Sequence, residues 1–485
     1  MQVPAIVQLG ERLKHLFLIA AVLAFTGALY AQLDDATKQL SRDIFKQLIE
    51  INTTESVGSV TRAAEAMAQR FREAGFPERD IYIGGPNERS KNLVVRLHGS
   101  GKHQPVLLIG HLDVVEAQPK DWATDPFKFV EKGGYFYGRG TQDIKDGDAI
   151  LVTTLMRFKK EGYVPDRDLI LALTAAEEGG KDNGVEWLLT NHRKLLNAEF
   201  VLNHDGGEVQ MDHDKPVAVI VDATEKLYSD YQVVVTNPGG HSSLPRPDSA
   251  IYELANALVR LQSHPFPFEL NSVTRAYYEH MAQVEPSQRA ADILAMLRTP
   301  PDMDAVQRLS RDPMDNARLH TTCVATRVQA GHANNALPAR AEAVVNCRIL
   351  PGHTKQEVRA DLGEVFDDPQ LQIRYIADDH DASDTVPEQH PFAPPPPNPE
   401  VFHAAQTVAA KIWPGTPLFP TMANGASDAV HTMAVGLPTY GVSGIEAERN
   451  DHREHGTDER VPVASFFRGV QFYYDFLKVL TSGSR

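Results

Sequence analysis

Val106-Leu107-Leu108-Ile109-Gly110-His111-Leu112-Asp113 is an apolar run that closes on an imidazole and, two residues later, a carboxylate. Four consecutive aliphatic residues bounded by polar chain read as a strand buried on both faces. Similar short runs stand at 92–97, 169–174 and 200–203, and a helical pattern from about 146 to 161 separates two of them. Strands alternating with helices predict an α/β fold with a mostly parallel sheet covered on both faces. In such sheets ligands bind beyond the carboxyl ends of the strands. His111, Glu178 and Asp205 fall at those ends, and Asp143 lies in the loop that opens the helix.

Upstream, Leu40, Ile44 and Leu48 mark one amphipathic helix, and Val60, Ala64, Met67 and Phe71 mark another. The pattern changes after about Asp222. Strand-like alternation at 227–236, a helix at 250–261, an antiparallel pair at 321–329 and 341–350, a helix at 354–366 and a strand at 371–376 follow. That βαββαβ series predicts a second, two-layer α+β unit with its own sheet. The stretch 272–319 is polar and helix-prone and reads as a helical insertion. The proline-rich run 391–399 reads as a stiff connector. Helix and strand signals at 401–412, 439–442 and 464–480 then return to the first sheet. The expected division is 32–223 and 381–485 for one unit and 224–380 for the other, after a leader at 1–31.

The leader is read from Arg12, Lys14 and His15 before the apolar run 16–28, with small residues from Ala28 to Ala31 for cleavage. The run is short for a membrane span. A periplasmic or secreted protein is expected, an uncleaved membrane anchor being the other outcome. Hydrophobic content of 42% and charge of 23% describe a folded protein. At 485 residues the chain is too long for one ordinary core, so two units are expected. A net charge of -16 without a basic run excludes a nucleic-acid or anionic-membrane partner, because phosphates need clustered Lys and Arg. Cys323 and Cys347 fall on the two strands of the antiparallel pair. A disulfide and two buried thiols both fit.

Each candidate site residue has a local context. Asp113 is placed to accept the second N–H of a metal-binding His111. Gly138-Arg139-Gly140-Thr141-Gln142-Asp143 is a glycine-punctuated turn that presents a carboxylate at a helix start. It either caps the helix or bridges two cations ~3.5–4 Å apart. Ala176-Glu177-Glu178-Gly179-Gly180 puts two carboxylates together at the end of an apolar strand, which is costly unless cations neutralise them. Asn203-His204-Asp205-Gly206-Gly207 leaves His204 and Asp205 as alternatives, as the stretch 451–460 does for His452 and His455.

The segments GHLDVVEA, DWATDPF, YGRGTQDIKDG, AAEEGG, LNHDGG, NPGGHSSLP, NNALP, CRILPG and HGTDER occur in this order. The ordered set resembles the M20 family of dinuclear zinc metallopeptidases, over nearly all of the chain from about residue 35. The resemblance implies a dinuclear-zinc catalytic domain carrying an inserted ferredoxin-like lid that often dimerises. It implies two Zn2+ per subunit, with Co2+ or Mn2+ as substitutes: His111 and Asp205 on one ion, Glu178 and His455 on the other, and Asp143 bridging. It selects Asp205 over His204 and His455 over His452. Glu177 becomes the general base, Asp113 a support, His241 a donor to the oxyanion, and Asn335 and Arg348 the grip on a substrate carboxylate. The family often has an acid where this chain has Ala176, which alters local charge but not the ligand set.

The expected activity is release of a C-terminal amino acid from a short peptide. An aminoacylase or dipeptidase acting on N-acyl amino acids or dipeptides is the alternative. A homodimer through the lid is expected with either. A non-catalytic metal-binding protein has no need of Glu177 beside the metals, and a dinuclear phosphoesterase has no phosphate-cradling loop here.

Overall fold

The computed structural model describes residues 33–179, 182–377, 381–387, 392–449 and 451–483. The expected leader at 1–31 lies outside the described residues. No helix among the described residues is long and apolar enough to cross a membrane.

Asp34 caps the first helix by accepting the Thr37 N–H, so Asp35–Ile49 starts cleanly. Its Ile44, Phe45 and Leu48 are fully buried, which is the apolar stripe of a helix lying on a sheet. Phe45 stacks on Phe466 at 4.8 Å and so joins this helix to the last one, Val463–Leu480. The C-terminal segment thus returns to the unit that the N-terminal segment begins.

That unit is built on a ten-stranded sheet. At its centre Leu169–Thr174, Val106–His111, Phe200–Asn203 and Thr439–Gly441 lie side by side and parallel. Every residue of the first three strands is buried, and each apolar side chain there contributes about 1.5–3 kcal/mol. The flanks depart from the parallel pattern: Asn92–Leu97 pairs antiparallel with Leu169–Thr174, and Glu208–Asp212 pairs antiparallel with Lys215–Glu225. Because the central strands run the same way, their carboxyl ends share one edge. The register sets His111 opposite Thr174 and Ile109 opposite Asn203.

A second sheet of five strands runs in the order Thr322–Ala330, Arg340–Ile349, Leu227–Thr236, Gln372–Ile376 and Ala382–Ser383, with every pairing antiparallel. Alternate residues Ala341, Ala343, Val345, Cys347 and Ile349 face a core shared with the helices Ala250–Ser263 and Lys355–Phe366. Cys323 lies directly opposite Cys347, and the two form a disulfide.

The segment 272–319 is helical, as its composition predicts: Ser272–Val284, Ser287–Met296, Met303–Leu309 and Pro313–Leu319. Its apolar residues do not join the core of the five-stranded sheet. Tyr277, Tyr278, Met281, Ile293 and Met296 form a cluster with Ala218, Ile220 and Phe419 of the ten-stranded sheet. The insertion therefore stands over the strands that flank the carboxyl-end edge, where it can wall a site.

Candidate metal centre

Parallel strand ends bring distant residues to one point. His111 ends its strand, fully buried, with Nε2 3.0 Å from Asp143 Oδ1. His455 Nε2 lies 3.0 Å from the other oxygen of Asp143 and 3.1 Å from Glu178 Oε1. Asp205 Oδ2 is 3.9 Å and Glu177 Oε2 is 4.0 Å from His111 Nε2. The Asp143 carboxylate thus stands between two imidazoles, one oxygen towards each. Donor atoms of His111, Asp143 and Glu178 come within 4.8 Å of one another.

The electrostatics couple two imidazoles to four carboxylates, those of Asp143, Glu177, Glu178 and Asp205. Burial works against a charged His111, yet the Asp143 hydrogen bond and the carboxylates of Glu177 and Asp205 raise its pKa well above the usual value. His455 is raised to about 10 by its hydrogen bonds to Asp143 and Glu178. Burial, reinforced by neighbouring carboxylates, pushes Glu177 and Asp205 well above the normal range. Burial would raise Asp143 too, but the two imidazoles hold it low. Divalent cations held by these groups would compete with protons for them. The donor set fits such cations. His111 Nε2 is sealed from solvent and faces carboxylate oxygens of Asp143, Asp205 and Glu177, and imidazole with carboxylate is a ligand set suited to zinc.

Local structure shows how the ligands are held. At Ala176 the backbone takes φ 59°, a region sparsely used by residues with a Cβ, and this turns the chain into the Glu177–Glu178 pair. The Asp113 carboxylate accepts the N–H groups of Glu177 and Glu178 at 3.2 and 2.9 Å. This differs from the expectation that it accepts the His111 ring N–H. That contact is made by the Asp113 backbone carbonyl, 3.1 Å from His111 Nδ1, while the nearest carboxylate oxygen stands at 3.9 Å. Two amide donors claim the carboxylate, and the carbonyl is left for the imidazole.

Composition and spacing leave the partners of the Asp143 loop unassigned. Glu459 is fully buried and accepts the backbone N–H groups of Gly140, Gln142 and Asp143 at 3.0, 2.9 and 3.2 Å. Arg139 donates to Glu459 and, at 3.2 Å, to the carbonyl of His455. One buried ion pair therefore fixes the bridging loop against the segment that carries the second imidazole. Asp428 similarly receives Thr174 Oγ1 at 2.8 Å and Asn183 Nδ2 at 2.6 Å, steadying the turn that holds the glutamates. Arg139 and Glu459 both lie inside quoted segments, so the signal was present; Asp428 had none.

The open alternatives separate in space. His204 is buried against Tyr473, with ring centroids 5.0 Å apart, and burial lowers its pKa to about 3. His452 bonds the Arg449 carbonyl. Asp205 and His455 are the residues that approach Asp143. His241, Asn335 and Arg348 are not drawn into this cluster. His241 is exposed on a two-residue ribbon paired with Ala336–Leu337, and its Nδ1 receives the Ser243 hydroxyl at 2.7 Å. The Asn335 carbonyl accepts the Ser242 N–H, and the Arg348 guanidinium lies 4.6 Å over the Tyr228 ring.

A cavity of about 580 Å3 opens onto Asp143 and Asp205. One wall is the sheet edge; the facing wall is the helical insertion, through Tyr277, Met281, Met314 and Arg318. That volume is within the range of small-molecule sites.

The family model described as Peptidase family M20/M25/M40 matches residues 107–479. The chain is 29% identical over 389 residues to the N-fatty-acyl-amino acid synthase/hydrolase PM20D1 of Xenopus tropicalis, covering 77% of this chain and 72% of that one. It is 28% identical over 434 residues to a probable carboxypeptidase S-like 2 of Dictyostelium discoideum, covering 84% and 78%. The fold superposes on an M20 family metallo-carboxypeptidase from Sulfolobus solfataricus with a TM-score of 0.66, over 92% of this chain and 99% of that one, at 14% identity.

Proposed function

The chain belongs to peptidase family M20/M25/M40, and on that premise we propose that this hydrolase cleaves an amide next to a free α-carboxylate, releasing an amino acid from a short peptide. The observation that carries the reading is Asp143 shared between His111 and His455, 3.0 Å from each, with Glu177 close to the same imidazole. In this reading His111 and Asp205 would hold one zinc, Glu178 and His455 the other, and Asp143 both; cobalt or manganese would suit the same donors. Such a pair would supply hydroxide at neutral pH and polarise the scissile carbonyl. Glu177, 4.0 Å from His111 Nε2, would take a proton from the attacking water and return it to the leaving amine. Asp113 keeps that glutamate in place through its N–H.

Asn335 and Arg348 are assigned the substrate carboxylate, which a guanidinium fork binds through two parallel hydrogen bonds. His241 is assigned the oxyanion. All three lie on the smaller unit, outside the lining of the cavity beside Asp143, so the reading has a second copy present His241. Exposed Ile251, Tyr252 and Val259 stand beside the free edge strand Thr322–Ala330 with its exposed Val324 and Val328. This apolar face suits a homodimer. The leader at 1–31 would place the protein in the periplasm or outside the cell.

N-acyl amino acids are the second substrate class. The apolar side chains of Tyr277, Met281, Met314 and Met422 in the cavity wall favour them, and the relatives named above include a hydrolase of fatty-acyl amino acids. A panel of dipeptides and N-acyl amino acids, offered to zinc-loaded protein, decides between the classes. Amino-acid release is expected from one of them, with the C-terminal amide analogue cut at least 10-fold more slowly. Equal cleavage of the amide would remove the carboxylate recognition, and no release from any compound would remove the activity.

A further inference from the structure

Arg318 closes the last helix of the insertion, and it lines the cavity that opens onto Asp143 and Asp205. It is 8% exposed, yet among the described residues its guanidinium takes part in no hydrogen bond or ion pair, and Nε is sealed without a partner. Its one ring contact is Tyr277, 4.5 Å beneath the guanidinium carbon. Two other arginines line the cavity: Arg289, on the insertion, is committed at 2.6 Å to Asp315, and Arg449 follows the strand Glu446–Glu448. Glu208 and Asp222 also line the cavity, but neither reaches ion-pair distance of Arg318: Glu208 receives Gln210 at 2.9 Å and Asp222 receives the Gly207 N–H at 2.7 Å.

A buried guanidinium without an anion is unfavourable, and a cavity wall is where a ligand would supply that anion. Among the further buried polar atoms without partners in residues lining this space is the hydroxyl Thr421 Oγ1. It comes from the ten-stranded sheet, on the strand Leu418–Ala423, opposite the insertion. Sheet and insertion thus present hydrogen-bonding groups to one volume.

We propose that Arg318, with Thr421, forms a subsite for a carboxylate of the substrate. It rests on the neighbouring cluster being the hydrolytic centre. The planar fork of Arg318 matches a carboxylate, and the Thr421 hydroxyl offers a further donor. The carboxylate is either one carried on the acyl side or the α-carboxylate of the departing amino acid, which would then pass from Asn335 and Arg348 to this subsite.

The test uses metal-loaded wild type, Arg318→Met and Arg318→Lys, each matched for metal content and melting temperature. Glutarate, which has no amide to lose, is titrated by calorimetry. Arg318→Met should weaken binding at least 10-fold, and Arg318→Lys should restore part of the loss. N-succinylglycine, its succinamoyl analogue and its glycinamide analogue then separate the two sources. The analogue indifferent to Arg318→Met is the one that has lost the carboxylate held there. Should the arginine variants not fold, Thr421→Val is read instead, with a loss of about 3-fold expected. Glutarate binding unchanged by the substitution, or the same loss for all three glycine compounds, overturns the subsite. Because glutarate binding involves no bond cleavage, a protein that hydrolyses nothing would refute the proposed function and leave this result readable.

Discussion

The Asp113 carboxylate accepts the backbone N–H of Glu178 at 2.9 Å, so a residue two positions beyond His111 fixes a carboxylate from another strand. Its second oxygen takes the N–H of Glu177 at 3.2 Å. Burial raises Asp113 to about 6 against the pull of His111 and these two amides. The contact therefore aligns both glutamates by their backbone. Asp113→Ala should lower metal affinity or turnover about 10–100-fold, the usual cost of removing such a support. Competition with a chelating dye, beside kcat, checks it; unchanged affinity and kcat would show that the turn holds itself.

Glu177 lies 4.0 Å from His111 Nε2 and is raised by burial and by the carboxylates around it. The role proposed for it predicts that it is dispensable for metal binding and required for proton transfer. Glu177→Ala should keep wild-type metal content and lose about 100-fold or more in kcat. Near-normal turnover would pass the role to another group.

Asp143 differs from the other carboxylates because its two oxygens face different imidazoles, each at 3.0 Å. Asp143→Asn should therefore impair both metal positions, whereas Asp205→Asn should impair only the one shared with His111. Elemental analysis of the two variants, dialysed against the same free zinc, is the measurement. Equal stoichiometry in both would rule out the bridging assignment. Chelation of the wild type should lower its melting temperature, since ligands bound only by the folded state stabilise by mass action.

How much of this was legible in the sequence follows from how locally each group is specified. His111 ends a buried apolar strand, and parallel pairing brings the ends of neighbouring strands together. Local context offered Asp143 as a helix cap or a bridge and left His204 open beside Asp205 and His452 beside His455; resemblance alone chose among them, because loop residues carry no period. Arg139 and Glu459, 320 positions apart, pair through the tertiary fold, which no local pattern encodes. The insertion was recognisable as helix from its composition. Its docking on the ten-stranded sheet depends on shape matching between Tyr277, Met281 and Phe419, and so Arg318 beside the site was invisible until the fold was known.

Glu225 offers a test of the frame behind the site. It ends the strand Lys215–Glu225 and accepts the Ser427 N–H at 3.0 Å and the Ser427 hydroxyl at 2.7 Å; Asn203 Nδ2 in turn donates to that hydroxyl at 2.9 Å. Burial raises the Glu225 carboxyl from 4.5 to about 7, even though the Ser427 bonds favour its ionised form. A raised folded pKa means the folded state holds the proton more tightly than the unfolded chain. The stabilisation is full below about pH 4.5 and is lost as pH rises through about 7, at a cost on the order of 3 kcal/mol. Glu225→Gln keeps an acceptor for Ser427 and cannot ionise. Relative to wild type it should gain about 1–3 kcal/mol at pH 8 compared with pH 5. Denaturant melts of both proteins at the two pH values, under saturating zinc, measure this. The same offset at both would mean that Glu225 is ionised throughout and that its hydrogen bonds to Ser427 outweigh the burial.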